Sequence, residues 1–205
     1  IDRVNRIMAN KERVDLPDEA SQVTFKRLIA EARLLRGICY FDLVRMWGDV
    51  PLKLTASDKT ENFAVTRTNR EEVYQQIVDD MEAAVTDLPW YNEVSSYEGR
   101  PTKGAAMGLL ARAYLFRAGY SLHQNGKMER PDNYLEYYKK VKEICAELIN
   151  SHRHSLNVSY EKVFKSSCRH TCRTSFRRLH RSLCSSSVRQ LFRCRQHCLN
   201  NKERI

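Results

Sequence analysis

Apolar side chains recur along the first 150 residues at steps of three and four, the spacing that puts them on one face of a helix. The longest such run crosses the stretch E-A-R-L-L-R-G-I-C-Y-F-D-L-V-R-M-W-G-D-V-P-L, Glu31 to Leu52. Leu35, Cys39, Leu43 and Met46 form its leading stripe, and Leu34, Ile38, Phe41, Val44 and Trp47 widen it. That width predicts a helix buried on most sides, from about Gln22 to Trp47, with Ser21 as its cap and Gly48 and Pro51 as its stop. Trp47 is expected to be structural.

The other periodic segments are shorter. Val4, Ile7 and Met8 predict a short helix over Asp2 to Asn10, and polar residues 11–19 with Pro17 predict a loop. Asn69 is a good N-cap for a helix with Val73, Ile77, Met81, Val85 and Leu88 inward, ended by Pro89. Thr102 caps a third strong helix, Lys103 to about Ala118, which is poor in bulk. Its two glycines cost about 1 kcal/mol each relative to alanine, which implies close backbone packing. Asn125-Gly126 marks a turn, and Asp132 is placed to cap a last helix through Asn150 with Leu135, Tyr138, Val141, Cys145, Leu148 and Ile149 inward. Residues 53–68 and 90–101 are irregular connections. The fold class is therefore all-α, with no convincing strand.

Composition changes the picture only at the end of the chain. The net charge of +10 suggests an anionic partner, but residues 1–165 hold 25 Lys and Arg against 24 Asp and Glu, and residues 166–205 hold 10 against 1. The chain therefore divides into a helical body, 1–165, and a basic tail rich in Cys, Arg and Ser, 166–205. The tail lacks Ala, Gly, Asp, Pro, Tyr, Met and Trp. Three readings of it compete: a zinc or nucleic-acid site using Cys168, Cys172, Cys194 and Cys198 with His170, His180 and His197; a disordered basic arm; or a segment read out of frame. Cys39 and Cys145, in the body, read as buried free thiols.

Little in the body suggests catalysis. There is no nucleophile elbow, phosphate-binding glycine loop or metalloprotease motif, so an enzyme is not expected, and no cofactor or metal is implied. Asp79-Asp80 and Glu71-Glu72 read as a solvated helix face, and His152-x-His154 as a helix-end cap. No apolar run reaches the ~18 residues of a membrane span. The opening residues contain no signal-peptide core and no cysteine to acylate.

The run from Glu31 to Leu52, together with N-R-E-E-V-Y-Q-Q-I-V-D-D-M-E-A-A-V-T-D-L-P (Asn69 to Pro89) and G-R-P-T-K-G-A-A-M-G-L-L-A-R-A-Y (Gly99 to Tyr114), resembles the SusD/RagB family. The resemblance covers about residues 1–164. It implies tetratricopeptide-like stacked helices forming an incomplete domain. It also implies a lipid-anchored protein exposed on the cell outer membrane, its signal and anchor lying upstream of Ile1. Such a protein binds oligosaccharide or polysaccharide without chemistry, passes it to a SusC-like TonB-dependent transporter, and has no nucleic-acid partner.

A sugar-binding surface needs flat aromatic rings for C–H faces and a few polar groups for hydroxyls. Trp90, Tyr91, Asn92 and Tyr97 supply that mixture in one connection and are the candidate glycan-binding residues. The competing reading folds Trp90 and Tyr91 back onto the core after Pro89. Two alternative functions stay open: an intracellular tetratricopeptide-like interaction scaffold, and zinc or nucleic-acid binding through the tail.

Overall fold

A computed structural model describes residues 1–57, 64–93 and 100–154. The unit they build, drawn from Ile1–Ser95 and Pro101–His154, contains five α-helices among the described residues: α1 (Asp2–Asn10), α2 (Glu19–Trp47), α3 (Arg70–Asp87), α4 (Lys103–Ala118) and α5 (Tyr134–Asn150). A 3-10 turn, Lys11–Arg13, follows α1. From α2 onward each helix packs on the next. Each connection is closed at its base, by the Val50–Thr68 bridge, the Pro89–Lys103 bond and the β1–β2 pair, which makes these neighbours antiparallel, so the body is a stack of helical hairpins.

The α2–α3 seam is the centre of the core. Leu34, Ile38, Tyr40, Phe41 and Val44 of α2 meet Val73, Ile77, Val78 and Met81 of α3, all buried. Gly37 lets the two helices close up, because a Cβ there would lie 3.2 Å from Met81 Cγ and 3.4 Å from the Ile77 carbonyl. The predicted width of the α2 stripe holds over its middle and fails at its end. Met46 and Trp47 are 61% and 73% exposed while Val44 and Val50 on either side of them are buried, so Trp47 is not a core residue, because the last turn of α2 is covered on its Val44 side and not around its whole circumference.

Buried charge crosses the same seam. The Arg36 guanidinium donates to both carboxylate oxygens of Asp80 at 2.7 Å and to Asn5 Oδ1 at 3.0 Å. Asn5 Nδ2 donates to the carbonyls of Lys53 and Thr55, and Tyr40 Oη both donates to the Lys53 carbonyl and accepts from its N–H. Asp80 is thus not on a solvated face. It is buried because Arg36 reaches it from the neighbouring helix with matched bidentate geometry.

The G-D-V-P-L turn after α2 is the other organising device. Gly48 has φ 71°, and a Cβ there would lie 2.7 Å from Arg70 Nη2. Asp49 accepts from the Arg70 backbone N–H at the start of α3 and from Arg70 Nε, and Val50 bridges to Thr68. Arg70, itself buried, also donates to Ser121 Oγ (2.7 Å) and the Leu122 carbonyl (2.8 Å), so one guanidinium joins three parts of the chain.

Several predicted details shift. Asp18, not Ser21, caps α2, accepting from the Ser21 N–H at 2.8 Å, and these bonds from Ser21 hold its carboxyl below the usual range. Asn69 caps α3 as expected. Thr102 occupies the N-cap position of α4, but its buried hydroxyl makes no hydrogen bond among the described residues. The 121–131 turn carries two short antiparallel strands, β1 (Ser121–Leu122) and β2 (Met128–Glu129), where no strand was predicted. Gly126, at φ 75°, supplies the left-handed turn residue between them.

Asn133, rather than Asp132, precedes α5. That helix buries no residue fully: Leu135, Tyr138 and Ile149 are exposed, and the half-buried face is Tyr134, Tyr137, Val141, Ile144, Cys145 and Leu148. Among the helices α5 packs mainly on α4, so only one narrow stripe is covered. Cys39 and Cys145 are free and half-buried rather than fully buried, and burial pushes the Cys39 thiol up.

Candidate functional site

The connection from α3 to α4 is pinned at both ends. Leu88 is buried, Pro89 stops α3, and the Pro89 carbonyl accepts from the Lys103 N–H at 2.9 Å. Between these points Glu93 closes a turn, its carboxylate accepting from the Trp90 N–H at 3.0 Å while its own N–H donates to the Trp90 carbonyl. Trp90 and Tyr91 are therefore held half-exposed, and Asn92 and Glu93 stand in solvent.

The chain returning from α5 completes the cluster. Arg153 Nη1 donates to Asn92 Oδ1 (2.7 Å) and Glu93 Oε1 (2.9 Å), and its Cζ lies 5.0 Å from the Trp90 ring centroid. Lys103 Nζ lies 5.7 Å from the same centroid. The His154 ring sits 6.2 Å from Trp90 and 5.7 Å from Tyr91, tilted to both. Against it lies Gly104, where a Cβ would run into the imidazole. The glycine at the start of α4 thus makes room for a side chain, not for the backbone the sequence implied.

His154 is a packing residue, not a helix cap, and its surroundings set its charge. Burial lowers its pKa from the ordinary 6.5. A group that is neutral in the folded chain but protonates near 6.5 when unfolded makes the unfolded state bind more protons, so stability falls as pH drops through 6.5 toward the lowered folded value. Urea midpoints measured from pH 8 to 5 should decline in that window for the native chain, and His154→Phe should flatten the decline. An unchanged slope would show that other groups carry it.

Trp90, Tyr91 and Asn92 are brought together with Lys103, Arg153, His154 and Glu93. Tyr97 lies outside the described residues, as do residues 166–205 with their cysteines and histidines. The sequence carried no local signal for Arg153, whose contact with Asn92 spans 61 positions. The polar edge and half-open rings can take a ligand with one apolar and one hydroxylated face. Among the described residues no group of three or more His, Cys, Asp or Glu side chains could hold a metal, and no helix is long and apolar enough to cross a membrane.

Three comparisons bear on this arrangement. The family profile described as starch-binding, associating with outer membrane, matches residues 3–115. A SusD-like protein of Bacteroides ovatus is 34% identical over 146 residues, covering 71% of this chain and 24% of its own length. The crystal structure of a SusD superfamily protein from Parabacteroides distasonis superposes with TM-score 0.67 at 28% identity, covering 83% of this chain and 33% of that one. A crystal structure with xylogluco-oligosaccharide superposes at 0.61 with 30% identity, over 79% of this chain and 30% of that one.

Proposed function

Because this chain belongs to the SusD-like family of starch-binding proteins that associate with the outer membrane, we propose that it serves oligosaccharide capture at that surface, by binding and without chemistry. The observation that carries the reading is the family match over residues 3–115, which spans the Arg36–Asp80 seam and the Gly48–Arg70 turn. The crystal structure with xylogluco-oligosaccharide supports a glucan-type ligand. Hand-over to a SusC-like TonB-dependent transporter, through a lipid-anchored whole protein of which this chain is a part, completes the proposed role.

At the residue level the proposed contact is Trp90 and Tyr91, with Asn92 beside them and Tyr97 further along the same connection. A pyranose ring lays its C–H face on the open part of the indole, while Arg153, Lys103 and Glu93 offer donors and acceptors to its hydroxyls.

Trp90→Ala in the 205-residue chain should weaken binding of xylogluco-oligosaccharide or starch-derived malto-oligosaccharide by about tenfold or more, the loss typical of a stacked aromatic anchor. Isothermal titration, with a thermal melt to confirm that the variant is folded, is the measurement. Unchanged affinity in a folded variant would remove the Trp90 connection from the proposed contact.

A further inference from the structure

The other end of α4 carries a second arrangement of rings and charge. Tyr120 follows α4 and is 61% exposed, Tyr134 opens α5, and Arg130, just after β2, reaches between them. Its Cζ lies 3.5 Å from the Tyr134 ring centroid and 4.8 Å from that of Tyr120. Tyr138, one turn along α5, meets Tyr134 edge-on at 5.9 Å and 84°, and is itself 40% exposed.

Arg130 differs from its counterparts in how its donors are used. Arg36, Arg70, Arg117 and Arg153 all donate to carboxylate or other oxygens. Among the described residues Arg130 makes no hydrogen bond or ion pair, and its contacts are the two rings. Stacking uses the flat faces of a guanidinium and leaves its N–H edge for a ligand. A half-buried cation lying over a ring, its donors without an oxygen partner among the described residues and flanked by exposed tyrosines, is organised for a partner that brings oxygens and an apolar face together.

A purely aliphatic partner would leave the guanidinium donors unmet, and a bare anion would leave Tyr120 and Tyr138 unused. A sugar meets both: its C–H face stacks on a ring and its hydroxyl oxygens accept from the guanidinium. We propose that Tyr120, Arg130 and Tyr138 form a second oligosaccharide contact, separate from the one at Trp90. The proposal rests on the oligosaccharide-binding reading above. The two contacts flank the 16 residues of α4, which at 1.5 Å per residue separates them by about 24 Å. A short oligosaccharide therefore occupies one contact at a time, and a long chain can engage both.

The test is titration of the full 205-residue chain with xylogluco-oligosaccharide and with malto-oligosaccharide, for the native protein and for Tyr120→Ala, Arg130→Ala, Arg130→Lys, Tyr120→Phe and Trp90→Ala. The native chain should show two independent sites. Tyr120→Ala and Arg130→Ala should each weaken one of them by about tenfold, with Tyr120→Phe close to native because it keeps the ring. Arg130→Lys should fall between, since it keeps the charge and loses the planar fork. Thermal melts confirm folding, which exposed Tyr120 makes secure.

If Trp90→Ala removes all binding and the Tyr120 and Arg130 variants bind as native, the second contact is overturned and the first stands. If the Tyr120 and Arg130 variants lose a site that Trp90→Ala leaves intact, the second contact is supported whatever becomes of the first. Absence of binding by the native chain to either sugar would overturn both.

Discussion

Arg36→Met should lower the stability of the helical body by about 3–5 kcal/mol, the cost of leaving one member of a buried pair without its partner. Asp80 would be left on the α3 face against α2, where its side chain is 4% exposed, and would lose both 2.7 Å bonds at once. Asn5 Oδ1 would lose its guanidinium donor as well, so the link from α1 to the Lys53 and Thr55 carbonyls would weaken with it. For a unit of this size the loss corresponds to a fall in Tm of about 10 °C. Asp80→Leu should cost a similar amount for the mirrored reason. The double replacement, Arg36→Met with Asp80→Leu, should cost less than either single change, because two apolar side chains then fill the seam and no charge is stranded. Urea unfolding of the four proteins measures the cycle. Additive single costs would show that Arg36 and Asp80 act separately and that the pair does not organise the seam.

Arg70→Met should cost about 3 kcal/mol, again by removing a buried cation from its acceptors. Its distinguishing effect is local. Arg70 ties the Asp49 turn and the start of α3 to Ser121 and the Leu122 carbonyl in the strand pair from a buried position, while the second link, from Gln124 Nε2 to Asp49 Oδ2, is exposed. The His123 and Gly126 N–H groups, which donate to the Lys127 and His123 carbonyls, should therefore exchange with solvent much faster in the variant than the α3 amides do. Gly48→Ala should produce a weaker version of the same pattern, since its Cβ displaces Arg70 Nη2 and its φ of 71° disfavours a side chain. Loss of protection spread evenly over the helices would contradict the role of Arg70 as the tether.

The helices were legible because their signals are local. α4 occupies the predicted Lys103 to Ala118, and α3 begins after the Asn69 cap and ends before Pro89, where neighbouring residues decide the outcome. The polar framework was not legible, because it is made across the stack: Arg36 meets Asp80 44 positions away and Arg70 meets Ser121 51 positions away. A carboxylate read alone on a helix looks solvated until the partner helix brings a guanidinium to it. Trp47 misled in the opposite direction. Its size and its place in an apolar run argue for burial, but which side of the last α2 turn is covered depends on the elements that pack there, not on its own pattern.

The candidate site divides in the same way. Trp90, Tyr91 and Asn92 could be singled out because aromatic side chains crowd one short connection. Arg153 and His154 could not, since antiparallel packing of α5 on α4 is what returns the chain to Trp90, and Lys103 could not, since the closure of the connection at Pro89 is what sets it there. Arg130 showed no signal of its own in sequence; its distinction is two ring contacts with no oxygen partner among the described residues, which arises only when the chain folds.

The measurement that tests the central claim most directly is isothermal titration of the 205-residue chain with xylogluco-oligosaccharide and malto-oligosaccharide. Saturable binding to at least one of them, weakened in the folded Trp90→Ala or Arg130→Ala variant, is the predicted result. A folded chain that shows no saturable binding to either sugar would contradict the proposal that this part of the protein carries oligosaccharide contacts.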